Sequence, residues 1–273
     1  MRCHVRTWGE AHHPRVFLLH GWMDVSASFQ FLVDAFARDW HVIAPDWRGF
    51  GLSQWEPGGY WFPNYYADLD ALLDRYQPDA PVLMIGHSLG GNVATTYAGI
   101  RPQRIARLVS LEGLGLARTI PEDAPKRFEK WLDQQNEPPG FKVYASFEEV
   151  AARLKKGNPR LTDARAAFLA RHWAHETGRG VELVSDPRHK MVNPYLYRAD
   201  EMIECWKRVT APVLLVSGKD SFFAGWFKDH PEDLAERKAA FADRRDVELE
   251  NAGHMMHHDQ PERLARVIEE FLG

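Results

Sequence analysis

The sequence predicts an α/β chain, a mostly parallel central sheet flanked by helices and interrupted by an inserted helical cap. Three observations carry this. Short apolar strands alternate with helical stripes over residues 2–111 and again over 212–272. The central strands are apolar on both faces, as strands covered by helices above and below must be. Finally, Pro81-Val82-Leu83-Met84-Ile85 leads through Gly86-His87-Ser88-Leu89-Gly90 into the helical stretch 91–98, giving strand, tight turn and helix in succession.

The elements follow in order. Residues 2–8 alternate weakly, as an edge strand does. Arg15-Val16-Phe17-Leu18-Leu19 predicts a buried strand that ends in His20-Gly21-Trp22-Met23-Asp24. Phe29, Leu32, Val33 and Phe36 place a helix over 28–38. The strand His41-Val42-Ile43-Ala44 stops at Pro45-Asp46-Trp47-Arg48-Gly49-Phe50-Gly51. Tyr65, Leu69, Leu72 and Leu73 mark a helix over 64–76, and Arg107-Leu108-Val109-Ser110-Leu111 a further strand. After Leu116 the rhythm breaks. Residues 118–205 carry little strand signal and helices near 121–135, 146–156, 162–176 and 198–208. Ser146 with Glu149 makes a capping box and Thr162 a good N-cap. The expected division is therefore a core of 1–117 and 206–273 with a cap of 118–205. The core resumes with Pro212-Val213-Leu214-Leu215-Val216, a helix near 231–242, a short strand at 247–249 and a last helix over 261–272 with Pro261 in its first turn.

Bulk properties narrow the partners. The 273 residues are 45% hydrophobic and 26% charged, with a net charge of −4. That charge does not suit a chain that tracks a phosphate backbone, so no nucleic-acid partner is expected. Cys3 and Cys205 make no disulfide framework. No signal peptide and no membrane-spanning run is visible, so the expectation is a cytoplasmic protein without a membrane partner.

Chemistry concentrates on Ser88. Serine alone is a poor nucleophile and needs a base, which in turn needs an orienting group. In sheet enzymes the chain order of such a set is serine, acid, histidine. Asp220 follows the strand ending in Ser217-Gly218-Lys219, and His254 lies in Asn251-Ala252-Gly253-His254. The expected roles are Ser88 as nucleophile, His254 as base then acid, and Asp220 as orienting carboxylate. Glu112, at the end of the strand 107–111, competes for the role of acid, although a supporting hydrogen bond suits it better. The oxyanion donors expected are the backbone N–H groups of Leu89 and Trp22; losing one such donor costs roughly 100- to 1000-fold in rate.

The motifs His20-Gly21-Trp22, Asp46-Trp47-Arg48-Gly49-Phe50-Gly51-Leu52-Ser53, Gly86-His87-Ser88-Leu89-Gly90-Gly91 and Gly253-His254-Met255-Met256-His257-His258 resemble the α/β-hydrolase superfamily in content and order. The stretch Ser185-Asp186-Pro187-Arg188 through Tyr197-Arg198, followed by 211–216, resembles its serine hydrolase-like branch. The resemblance implies the α/β-hydrolase fold with a cap, hydrolysis through an acyl-enzyme, and neither metal nor organic cofactor. The sequence departs from many relatives at the acid, because only Lys219 separates Gly218 from Asp220.

Other residues have structural readings. His254, His257, His258 and Asp259 have metal-like spacing, which the matched motif explains without metal. His20 is expected to fix its loop, His87 to pack beneath the turn, and Asp46 and Arg48 to brace the turn after 41–44. Trp131, Phe168, Trp173 and Tyr195 are expected mainly as cap packing, with an acyl pocket as the alternative. The expected function is hydrolysis of a small or medium hydrophobic ester or thioester. Carbon–carbon or lactone hydrolysis on the same triad, or non-catalytic small-molecule binding, are the alternatives. The expected partner is a small hydrophobic substrate.

Overall fold

The computed structural model describes the backbone of residues 1–273 and every side chain except that of Ala224. The strands of the main sheet are β1 (Val5–Trp8), β2 (Arg15–Leu19), β3 (His41–Pro45), β4 (Val82–His87), β5 (Ile105–Leu111), β8 (Val213–Gly218) and β9 (Arg244–Leu249); β6 (Ala174–Thr177) and β7 (Gly180–Leu183) form a separate hairpin. The sheet order is β1-β3-β2-β4-β5-β8-β9. Edge strand β1 runs antiparallel to β3, and all other pairs are parallel.

Strand periodicity explains why the central strands are apolar throughout. Alternate side chains point to opposite faces. Phe17, Met84, Leu108 and Leu215 face the helices α2 (Phe62–Tyr76), α3 (Leu89–Ile100) and α7 (Ala199–Trp206), which contribute Leu69, Leu73, Val93, Tyr97, Ile203 and Trp206. Val16, Leu18, Ile85, Val109 and Leu214 face α1 (Gln30–Ala35) and α11 (Pro261–Leu272), which contribute Leu32, Leu264, Ile268 and Phe271. Burying each such side chain contributes about 1.5–3 kcal/mol.

The helices differ sharply in burial. In α3, residues 90–99 are all buried, and small residues let neighbours approach: a Cβ on Gly99 would lie 1.8 Å from the Cys205 carbonyl oxygen of α7. At the other extreme, α4 (Ala124–Asn136) buries none of its side chains. Among the described residues, no helix is long and apolar enough to cross a membrane.

Helices α5 (Phe147–Gly157) and α6 (Asp163–Trp173) close with the β6–β7 hairpin around a second cluster that includes Val150, Leu154, Ala166, Leu169 and Val181. The expected caps are in place. Ser146 accepts from Glu149 N–H and Thr162 from Arg165 N–H. The Glu149 carboxylate, however, turns back to Ala145 N–H at 2.8 Å. Two features depart from the expectation. The helix read over 162–176 ends at Trp173 and continues as β6, joined to β7 by Gly178-Arg179. Helix α7, all but its last residue within the span expected as cap, packs Ile203 into the core beside Trp206. The remaining helices are α8 (Phe222–Trp226), α9 (Pro231–Ala239) and α10 (Met256–Asp259).

Candidate active site

Sheet register brings the site together. Leu19 of β2 pairs with Gly86 of β4, so Trp22 and Leu89 each lie three residues beyond a paired position. His87 pairs with Leu111 of β5, so Ser88 and Glu112 leave the sheet side by side. Among the described residues, those with positive φ that are not glycine lie on the loops leaving these strands and β9: Met23 (57°), Ser88 (51°), Glu112 (52°) and Asn251 (57°). Such strain persists only where the surroundings impose it, and it clusters at functional sites.

The turn at Ser88 is tight because backbone crowds both glycines. A Cβ on Gly86 would lie 2.5 Å from Gly90 O, and one on Gly90 would lie 2.1 Å from Leu19 O. Ser88 N–H donates to Leu111 O, and Ser88 O accepts from Asn92 N–H of α3. Among the described residues, neither Trp22 N–H nor Leu89 N–H has a hydrogen-bond partner within the chain. Leu89 opens α3, where first-turn N–H groups have no helical acceptor. Both expected oxyanion donors are thus free at the strand ends.

The imidazole of His254 meets Glu112, with Nδ1 to Oε2 at 2.6 Å. The Glu112 side chain is fully buried. A carboxylate in its ionised form only accepts, so against it Nδ1 is the donor of this bond. Glu112 is itself held by Gly218 N–H (2.9 Å to Oε1) and the Ser221 hydroxyl (2.7 Å to Oε2). The His254 backbone is fixed from two sides: His87 Nε2 donates to His254 O at 2.8 Å, and Gly253 N–H donates to Asp259 Oδ2 at 2.8 Å. His87 lies beneath the turn as expected, and burial keeps it neutral by holding its pKa well below the ordinary histidine value.

Asp220, the expected acid, does not meet His254. Its side chain is 44% exposed and pairs with Arg160 at 2.7 Å. The cause is the short connection after Gly218. Lys219 N–H bonds to Leu249 O, Asp220 N–H to Ala252 O and Ser221 N–H to Gly218 O. This closes the turn at once, points Asp220 outward and aims Ser221 inward at Glu112. The competitor Glu112 therefore occupies the place expected for Asp220.

Bracing residues lie around this set. His20 Nε2 accepts from Trp47 N–H at 2.9 Å and Nδ1 donates to Gly21 O at 2.8 Å, which ties the loop after β2 to the one after β3. Burial lowers its pKa and keeps it neutral. Asp46 accepts from His4 Nδ1 (2.8 Å), Ser26 N–H (2.7 Å) and Leu52 N–H (3.0 Å). Burial alone would raise its pKa; these donors outweigh it and lower the pKa to about 2. Arg48 makes a two-pronged pair with Asp68. The Ser185-Asp186-Pro187-Arg188 stretch docks on this loop: Asp186 N–H donates to Gly49 O and its carboxylate accepts from Tyr60. His189 stacks between Phe50 and Tyr60, and its carbonyl accepts from the Trp22 indole at 3.3 Å. Burial lowers the His189 pKa to about 3. This strap and its hold on Trp22 join residues far apart in sequence, and sequence reasoning missed them.

The His254/His257/His258/Asp259 set is divided. His254 goes to Glu112, while Asp259 bonds Gly253 N–H and Asn158. His257 and His258 join buried Asp24, with ligand atoms within 4.8 Å of one another. The Ser28 hydroxyl already lies among them, at 2.9 Å from Asp24 and 2.6 Å from His258. Of the cap aromatics, Phe168 and Trp173 pack against the cap cluster, and Tyr195 is 75% exposed.

Known proteins resemble this chain in sequence and fold. A family model described as "alpha/beta hydrolase fold" matches residues 14–261. The chain is 31% identical to a zebrafish (Danio rerio) serine hydrolase-like protein, over 98% of this chain and 84% of the relative. It is 26% identical to a 3-hydroxybutyrate-oligomer hydrolase of Cupriavidus necator, over 97% and 91%. Among solved structures, the thioesterase domain from the curacin biosynthetic pathway superposes with a TM-score of 0.85 at 27% identity, covering 98% of this chain and 94% of that one.

Proposed function

Because the chain belongs to the α/β-hydrolase family and is a hydrolase, we propose that it cleaves small or medium hydrophobic carboxylic esters or thioesters through an acyl-enzyme, using Ser88, His254 and Glu112. The observation that carries this reading is the 2.6 Å bond from His254 Nδ1 to buried Glu112, one strand from a left-handed Ser88. With Nδ1 protonated, Nε2 takes the Ser88 proton as Oγ bonds to the carbonyl carbon. Trp22 N–H and Leu89 N–H stabilise the oxyanion. The imidazolium, held by Glu112, then returns the proton to the departing alcohol or thiol. Water repeats the sequence on the acyl-enzyme and frees the acid. No step needs a metal ion or an organic cofactor. The names of two similar proteins, a 3-hydroxybutyrate-oligomer hydrolase and a thioesterase domain, support the ester and thioester classes.

The test is intact mass after exposure to a fluorophosphonate. Wild type is expected to gain one adduct and Ser88→Ala none. A folded wild type that stays unlabelled would remove the proposal's support.

A further inference from the structure

A cavity of about 610 Å³ lies between the first turn of α2, residues 116–119 after β5, and the first turn of α7. Pockets of this size hold small molecules. Its apolar wall comprises Phe62, Tyr66, Leu116, Leu196, Tyr197 and Met202. The charged side chains of its lining that belong to α7 and the residue before it, Arg198 and Glu201, are 61% and 63% exposed and so stand at the mouth.

The cavity is tied to the reacting groups by short connections. Leu116 is four residues beyond Glu112, a span of at most about 14 Å of extended chain. The loop between them is held to α3, because Gly115 N–H donates to Asn92 Oδ1 at 2.7 Å, one helical turn from Ser88. Thr96, a turn further along α3, reaches the Met202 sulfur at 3.6 Å. No residue of α3 lines the cavity, but Met202 of its wall touches that helix at Thr96, about two turns beyond Ser88.

His254 must protonate the leaving group, so that group lies on the His254 side. Met256, just beyond His254, packs with α11, and the exposed Phe222 ring lies 4.6 Å from the imidazole. Leu89, beside Ser88, packs instead with the α2, α3 and α7 cluster that walls the cavity. The half of the substrate that stays bonded to Ser88 would therefore lie on the side of Leu89 and this cluster.

We infer that this cavity holds the acyl chain, and that the substrates are esters or thioesters of medium-length aliphatic acids. The inference rests on the hydrolytic reading above. A short acyl group would stay near Ser88 and leave the apolar wall uncovered, whereas a longer one would cover it. Each added methylene buried there raises kcat/KM about three- to fourfold until the cavity is full.

The experiment measures kcat/KM for p-nitrophenyl esters from acetate to dodecanoate with wild type, Leu116→Trp and Met202→Trp, folding being checked by circular dichroism. Wild type is expected to favour decanoate over acetate by about a hundredfold or more. In either folded variant, the decanoate-to-acetate ratio is expected to drop at least about tenfold. A flat chain-length profile, or a ratio unchanged in both folded variants, overturns the inference and leaves the hydrolytic reading standing. A second measurement separates the two readings: binding of dansyl-undecanoic acid to Ser88→Ala, with and without Leu116→Trp. Binding that Leu116→Trp weakens supports the cavity assignment even if no ester is cleaved. That combination would sink the hydrolytic reading alone. No binding in Ser88→Ala overturns the cavity assignment.

Discussion

Two carboxylates leave neighbouring strands of the same sheet edge and meet opposite fates. Glu112, after β5, is fully buried and bonded to His254, Ser221 and Gly218 N–H. Asp220, after β8, is 44% exposed and bonded to Arg160 of the cap. Both follow an apolar strand, so strand position alone does not decide which carboxylate meets His254. What chooses is how fast the chain turns. Glu112 leaves β5 with φ at 52° and goes straight to the imidazole, whereas the β8 connection closes first and presents Ser221 in place of Asp220. The end of β8 and the turn after it instead supply two donors to the Glu112 carboxylate.

This contrast breaks most easily at Glu112. Glu112→Gln is expected to lower kcat about a thousand- to ten-thousandfold, because the imidazole loses its charged partner and its fixed tautomer. Steady-state kinetics on the favoured ester read this. An effect confined to Asp220→Asn would reverse the assignment.

Asp46, a third acid at a strand end, sharpens the comparison because it is buried without touching the histidine. Asp46→Asn is expected to cost stability, about 2 kcal/mol in urea unfolding at pH 7. The folded pKa of about 2 lies below the ordinary 3.8. The stabilisation is therefore full above about pH 4 and lost as pH falls toward 2, so wild type and Asp46→Asn should converge in acid. A difference in stability that grows on acidification would contradict this.

Ser221→Ala removes one hydrogen bond to the Glu112 carboxylate and is expected to lower kcat about tenfold, since hydrogen bonds to charged groups contribute about 1.5–3 kcal/mol. Ser221→Thr, which keeps the hydroxyl, should recover most of the loss. The smallest effect belongs to Asp220→Asn. Its exposed pair with Arg160 contributes less than about 1 kcal/mol, and activity should stay within about twofold. A loss as large as that of Glu112→Gln would show that Asp220 acts in turnover.

What the sequence revealed follows the range of the forces involved. Ser88 was legible because a local collision, backbone against any side chain at positions 86 and 90, demands glycines there. The strands were legible because burial on both faces leaves an unbroken apolar run. His254 was legible through its motif. The carboxylate that meets His254 was not, since its selection depends on hydrogen bonds from residue 219 to the end of β9 and from residue 220 to the loop after it. The β6–β7 hairpin escaped notice because His175, Glu176 and Glu182 give its short strands no apolar run. The place of α7 depends on how closely Gly99 lets it approach, which no local pattern records.

Helix α4 carries a further consequence. Its Phe128 and Leu132 are 43% and 55% exposed, and no side chain of the helix is buried. A helix of this length is marginal in water without tertiary support. Its amides should exchange with deuterium far sooner than those of α3, and proteases should nick the chain between residues 124 and 136 before they attack the sheet. Arg127 of this helix lines the cavity, so an acyl chain seated there would slow both, and exchange at α4 would report occupancy of the cavity without any turnover.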